Sequence, residues 1–99
     1  MNMQAIMRQA QALQKEMIKT KEKIDNTIFE GSNSFVTVKV NGKKEIIEIK
    51  IDKSVELSSD DIEMLQDILV IAINDAMKKV DAETERKMSK YSSMMPGVF

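Results

Sequence analysis

The 99 residues carry 15 Lys/Arg against 16 Asp/Glu, a formal net charge of −1, which argues against a histone-like polycation that holds nucleic acid by bulk charge alone. Cysteine and histidine are both absent, which excludes disulfides, thiolate metal sites, cysteine nucleophiles and histidine acid–base chemistry. The longest apolar run, Ile68 to Ile73, is far below the roughly 18 residues of a membrane span, and no signal-peptide pattern opens the chain, so the expectation is one soluble cytoplasmic domain over residues 1–99 with no membrane partner.

The first predicted element is a helix over residues 1–25, free of Gly and Pro and rich in Ala, Gln, Lys, Glu and Met. Met3, Ile6, Ala10, Leu13, Met17, Thr20 and Ile24 follow each other by steps of three and four, a heptad seam that needs a partner surface. Arg8, Lys15, Lys19 and Lys23 project away from that seam, and the three lysines stack at i, i+4. Residues 1–50 sum to +3 and residues 51–99 to −4, so this row belongs to the basic half of the chain. The bland reading of such a row is a solvated face partly neutralised by Glu22. The functional reading is a set of phosphate contacts.

Antiparallel strands are expected over residues 26–52. Gly31-Ser32-Asn33-Ser34 has turn chemistry. Val36, Val38 and Val40 then alternate with polar residues, as do Ile47, Ile49 and Ile51, on either side of Asn41-Gly42. A two-residue turn would set Val38 against Glu45. A four-residue loop, Asn41 to Lys44, sets Val38 against Ile47 and Val36 against Ile49, and is preferred because it joins more apolar side chains on one face. Lys39, Lys43, Lys44 and Lys50 are read as solubilising charges on an exposed hairpin.

Ser58-Ser59-Asp60-Asp61 marks the start of a second helix over residues 59–90. Ile62, Leu65, Leu69, Ala72 and Ala76 form one apolar side, and Met64, Ile68 and Ile71 a second. Two such faces predict a helix held between its own sheet and another surface. Asn74-Asp75 interrupts the apolar run and is read as a polar pair capping strand or partner backbone. Asp60, Asp61 and Glu63 lack the Gly and ligand spacing of a calcium loop, so no metal or cofactor is expected. Beyond Met77 the helix turns charged and is expected to be exposed to about Lys90, with residues 92–99 a flexible tail.

Several of these segments resemble the bacterial YbaB/EbfC nucleoid-associated proteins. The resemblance is carried by Met7-Arg8-Gln9-Ala10-Gln11, Leu13-Gln14-Lys15-Glu16-Met17, Val36-Thr37-Val38-Lys39-Val40-Asn41-Gly42, Ile49-Lys50-Ile51-Asp52, Asn74-Asp75-Ala76 and Met94-Met95-Pro96-Gly97, in the same order over nearly the whole chain. It implies an α+β fold: an α-β-β-β-α subunit whose small antiparallel sheet is bracketed by two long helices, assembled as a tweezer-like homodimer. It implies binding of double-stranded DNA at the nucleoid with little sequence specificity, no enzymatic activity and no small-molecule substrate. Carried over position by position, the DNA-binding candidates are Arg8, Lys15, Lys19 and Lys23 on the first helix and Lys78 and Lys79 on the second. The alternative from a different class is a protein-interaction module that grips a partner helix with the heptad seam.

Overall fold

The computed structural model describes residues 2–94, Met94 by its backbone alone. The elements run α1 (Met3–Asp25), β1 (Ile28–Asn33), β2 (Val36–Asn41), β3 (Ile46–Ile51), a single 3₁₀ turn (Ser59–Asp61) and α2 (Ile62–Met94). The α+β order is the expected one. The last helix runs past Lys90 to Met94, so Ser92 and Ser93, placed in a tail from sequence, are helical; residues 95–99 lie outside the described residues.

Each boundary has a local cause. The Asn2 side chain accepts the Gln4 N–H at 3.0 Å and caps α1. At the other end the Asn26 amide nitrogen and the Thr27 hydroxyl donate to the carbonyls of Glu22 and Lys23 at 3.0 and 2.6 Å, satisfying orphan acceptors of the last turn. At the start of α2 the Asp61 carboxylate accepts the Ser58 N–H at 2.9 Å and its hydroxyl at 3.2 Å. The acidic cluster there acts as a helix start.

The three strands form one antiparallel sheet in the order β1-β2-β3. Its core is the valine face of β2: Val36, Val38 and Val40 are each 0% exposed and pack on Ile68, Ala72, Ala76 and Val80 of α2. Ile68 therefore belongs to the sheet-facing side, at 8% exposure, and not to the second face with Met64 and Ile71; Ile62, grouped with the core from sequence, is 53% exposed. The buried residues of α2 on this side, Ile68, Ala72, Ala76 and Val80, recur every four positions and form one stripe that leaves Ile62 outside it.

Gly31 is a strand residue, paired with Val38, and not part of the turn expected over residues 31–34. The turn is only Ser34-Phe35, with Ser34 at a φ of 51°. A Cβ at Gly31 would collide with the backbone of Ala72 and Ala76, so β1 reaches α2 only because all three residues are small.

The β2–β3 register also departs from the expected one. Val36 pairs with Ile51 and Val38 with Ile49, and a bulge then sets Val40 against Ile46. The connection is Gly42–Glu45, closed by the Asn41 N–H donating to the Glu45 carbonyl. Asn41 Oδ1 accepts the N–H groups of Lys43 and Glu45 at 2.9 and 3.0 Å, and Lys44 takes the left-handed conformation at a φ of 64°. The bulge absorbs the odd residue, so Ile46, Ile49 and Ile51 share the valine face while Ile47 is displaced. Helix α2 lies over β1 and β2 and leaves β3 beyond its edge.

A second core joins the helices. Ile24 of α1 and Met88 and Tyr91 of α2 are buried together, with Leu13 and Met17 against them. The seam of α1 thus packs on the charged half of α2, which was expected to be exposed. The hairpin loop fixes the joint: the Gly42 N–H donates to the Asp25 carbonyl at 3.2 Å, Lys44 pairs with Asp81, and a Cβ on Gly42 would overlap the Ile24 carbonyl.

Gly31→Ala is expected to cost about 1–3 kcal/mol, because the added methyl meets helix backbone that cannot rotate aside. Denaturant unfolding should show a lower midpoint with an unchanged slope, while Ser32→Ala, at an exposed neighbouring position, should move it little.

Candidate nucleic-acid interface

Helix α1 is displayed as an arm. Its C-terminal half is held by the hairpin and by α2, whereas Met3, Ile6 and Ala10 carry the seam into solvent. The described chain is correspondingly elongated, 71 × 19 × 14 Å. Seven residues separate Arg8 from Lys15 and four separate Lys15 from Lys19, spacings that return to the same side of a helix. All three side chains are exposed, and none is in an ion pair among the described residues. They stand on the face opposite the one that Leu13, Met17 and Ile24 bury.

Lys23 is placed differently. It turns toward α2 and lines a groove of about 320 Å³ with Thr20, Arg86, Lys87 and Lys90. The wall of that groove is a polar latch between the helices. The Tyr91 hydroxyl, on a residue at 0% exposure, donates to Glu16 Oε1 at 3.0 Å and lies 3.1 Å from the Thr20 hydroxyl. Lys90 Nζ donates to the same carboxylate oxygen at 3.1 Å and sits 5.0 Å from the Tyr91 ring centroid. The Lys90 hydrogen bond, then that of Tyr91, holds the Glu16 carboxyl below its ordinary value, and Glu16 in turn raises the Lys90 ammonium.

Lys78 and Lys79 are at the sheet end, along the outer edge of β1. Lys79 Nζ donates to the Glu30 carbonyl at 2.7 Å and lies 3.5 Å from Asp75. Asp75 accepts the Ser32 N–H at 3.1 Å, which is the first reason its carboxyl is held low. Asp75 thus caps strand backbone, whereas Asn74, read from sequence as its partner in the cap, only lies beside Ser32 and Asn33. Lys78 lies beside Asn74, Asp75 and Ser32. The six sequence candidates therefore divide: Arg8, Lys15 and Lys19 on one free face, Lys23 in the interhelical groove, and Lys78 and Lys79 on α2 beside the outer edge of β1.

Arg86, Lys87 and Lys90 were not among the sequence candidates. Their signal was Met88 and Tyr91, three residues apart in a polar stretch, which marks the side of α2 that α1 covers and so places the neighbouring cations at its border.

A sequence model described as the YbaB/EbfC DNA-binding family matches residues 1–95. A nucleoid-associated protein of Ligilactobacillus salivarius is 43% identical over 99% of this chain and 95% of its own length. One from Chloroflexus aurantiacus is 40% identical over the full length of both. Among solved structures, an uncharacterized protein from Helicobacter pylori aligns with a TM-score of 0.69 at 27% identity, covering 95% of this chain and 98% of that one.

The latch makes the helix pair acid-sensitive with a definite sign. A carboxyl held low in the folded state stabilises it above the ordinary glutamate range and stops doing so as the pH falls through the folded value. Glu16→Gln should lower the thermal midpoint at neutral pH, and the gap to the wild-type chain should shrink as the pH is taken below that range in parallel melts.

Proposed function

The chain belongs to the YbaB/EbfC DNA-binding family, and from that membership we propose that it is a nucleoid-associated protein that binds double-stranded DNA as a homodimer, through phosphate contacts and with little sequence preference. The observation that carries this reading is the row of Arg8, Lys15 and Lys19 on a projecting helix, unpaired among the described residues. Phosphate contacts set position and affinity without reading bases. With a net charge of −1, attraction to DNA must be local, so it depends on these few side chains and on salt. Lys23 joins them from the groove, and Lys78 and Lys79 are secondary contacts near the sheet.

The homodimer is supported by apolar surface that the subunit leaves open. The edge strand β3 presents Ile46, Ile47 and Ile49, and α2 presents Met64, Val70 and Ile71, all exposed. The unpaired edge of β3, with its three exposed isoleucines, is a natural seat for a second copy, which would double the cation row by symmetry. The partner-module reading keeps only part of its surface: Leu13, Met17 and Ile24 of the seam are taken by α2, leaving Met3, Ile6 and Ala10.

Fluorescence anisotropy with a random duplex of about 30 base pairs should show binding that weakens with salt, with a log–log slope near −0.9 per phosphate neutralised. Lys15→Glu with Lys19→Glu should weaken binding at least about tenfold at an unchanged thermal midpoint; unchanged binding would remove these residues from the interface. Ile47→Glu, at a side chain displaced from the ladder and 55% exposed, should yield a monomer by light scattering with helical content intact. A persistent dimer would move the interface off β3.

A further inference from the structure

The groove between α1 and α2 holds more positive charge than its packing uses. Four cations from two helices surround it. Lys90 is paired with Glu16 and Arg86 with Glu83, at 3.1 and 2.7 Å, whereas Lys23 and Lys87 are in no ion pair among the described residues. Like charges gathered around one groove raise the local potential and favour an anion between them.

We propose that this groove is a phosphate-binding site, in which Lys23 of α1 and Lys87 of α2 hold one phosphate group from opposite walls. The reading of the chain as a DNA-binding protein makes that group a backbone phosphate of the duplex; the same chemistry fits free phosphate. Thr20 lines the same groove, with its hydroxyl engaged by the Tyr91 hydroxyl at 3.1 Å. Lys90 can turn to the ligand without orphaning its partner, because Glu16 keeps the hydrogen bond from Tyr91. Arg86 is similarly available, since its bond to Glu83 is an exposed pair three residues apart, a weak class of interaction. Charge-assisted bonds from both helices to one anion would tie α1 to α2.

That bridge separates the groove from the outer row. Lys15 and Lys19 sit on one helix, so a phosphate they hold does not join elements. A phosphate held by Lys23 and Lys87 spans the helix–helix contact, and its binding stabilises the native pair by mass action.

The test compares Lys23→Ala/Lys87→Ala with Lys15→Ala/Lys19→Ala in the full chain, by duplex anisotropy across a salt series and by thermal melts with duplex, with inorganic phosphate and with neither. All four side chains are exposed, and the melt without ligand reports whether each variant is folded. The groove variant should bind duplex about tenfold more weakly, lose about one unit of salt slope, and show a smaller rise in thermal midpoint with duplex. The outer-row variant should bind duplex more weakly and reduce that rise too, but should keep the rise that inorganic phosphate gives the wild-type chain, which the groove variant should lose. A groove variant with wild-type slope and wild-type midpoint rise overturns the site while leaving the DNA reading intact. If the wild-type chain binds no duplex at low salt, the DNA reading fails, and the phosphate arm decides alone. A midpoint rise with inorganic phosphate that vanishes in the groove variant supports a site for free phosphate, and no rise overturns the proposal.

Discussion

Strand β1 rests its backbone directly on the backbone of α2 where Gly31 meets Ala72 and Ala76, and most of the remaining geometry is set by that contact. It brings the valine face of β2 within reach of Ile68 and Val80, and so creates the main core. It positions the β2–β3 loop over the middle of α2, where Lys44 meets Asp81. Through the Gly42 hydrogen bond to Asp25 the loop then fixes where α1 ends. From that fixed end α1 can run back along the distal half of α2 and pack Ile24, Met17 and Leu13 on Met88 and Tyr91. A larger side chain at either glycine would lift one layer from the next.

The charge pattern divides along the same lines. Several cations stabilise the fold: Lys44 holds the hairpin to α2, Lys79 holds the carbonyl edge of β1, Lys21 pairs with Asp25, and Lys90 completes the latch on Glu16. Net charge cannot separate these from the side chains left to meet a ligand, because the distinction depends on which carboxylate the fold brings near each ammonium. On α1 the distinction follows helix geometry. The face that carries Leu13, Met17 and Ile24 is committed to packing, so the cations opposite it have no protein partner to find.

How much of this could be read from the residues depends on the range of the interaction that decides each feature. The first helix, the valine strand and the serine–aspartate start of α2 are set by local periodicity and capping, and all were legible. Asp75 was legible as a cap because a lone carboxylate in an apolar helix needs a donor. The β2–β3 register was not, because Lys44 in a left-handed conformation and a bulge beside Ile47 are choices that pay off only through Ile51 reaching the core. Gly31 looked like turn chemistry because its reason lies some forty residues away, in Ala72 and Ala76. Tyr91 and the groove cations of α2, Arg86, Lys87 and Lys90, were hidden for the same reason: a charged helical stretch reads as solvated until the partner helix is placed on it.

The separation of the two surfaces assigned to the subunit has a mechanical consequence. The open apolar edge lies on β3, whereas the outer cations and the groove lie on α1 and the last turns of α2. On a body 71 Å long and 14 to 19 Å across, assembly at one end does not occlude ligand contact at the other. A second copy seated on β3 would extend the rigid sheet–helix unit and leave both arms projecting. What then fixes the direction of each arm is the short joint made by Gly42, the Lys44–Asp81 pair and the Glu16–Lys90–Tyr91 latch. Of these the latch alone stands beside the cationic groove, and Lys90 belongs to both, so the joint that holds the arm and the charge lining the groove share a side chain.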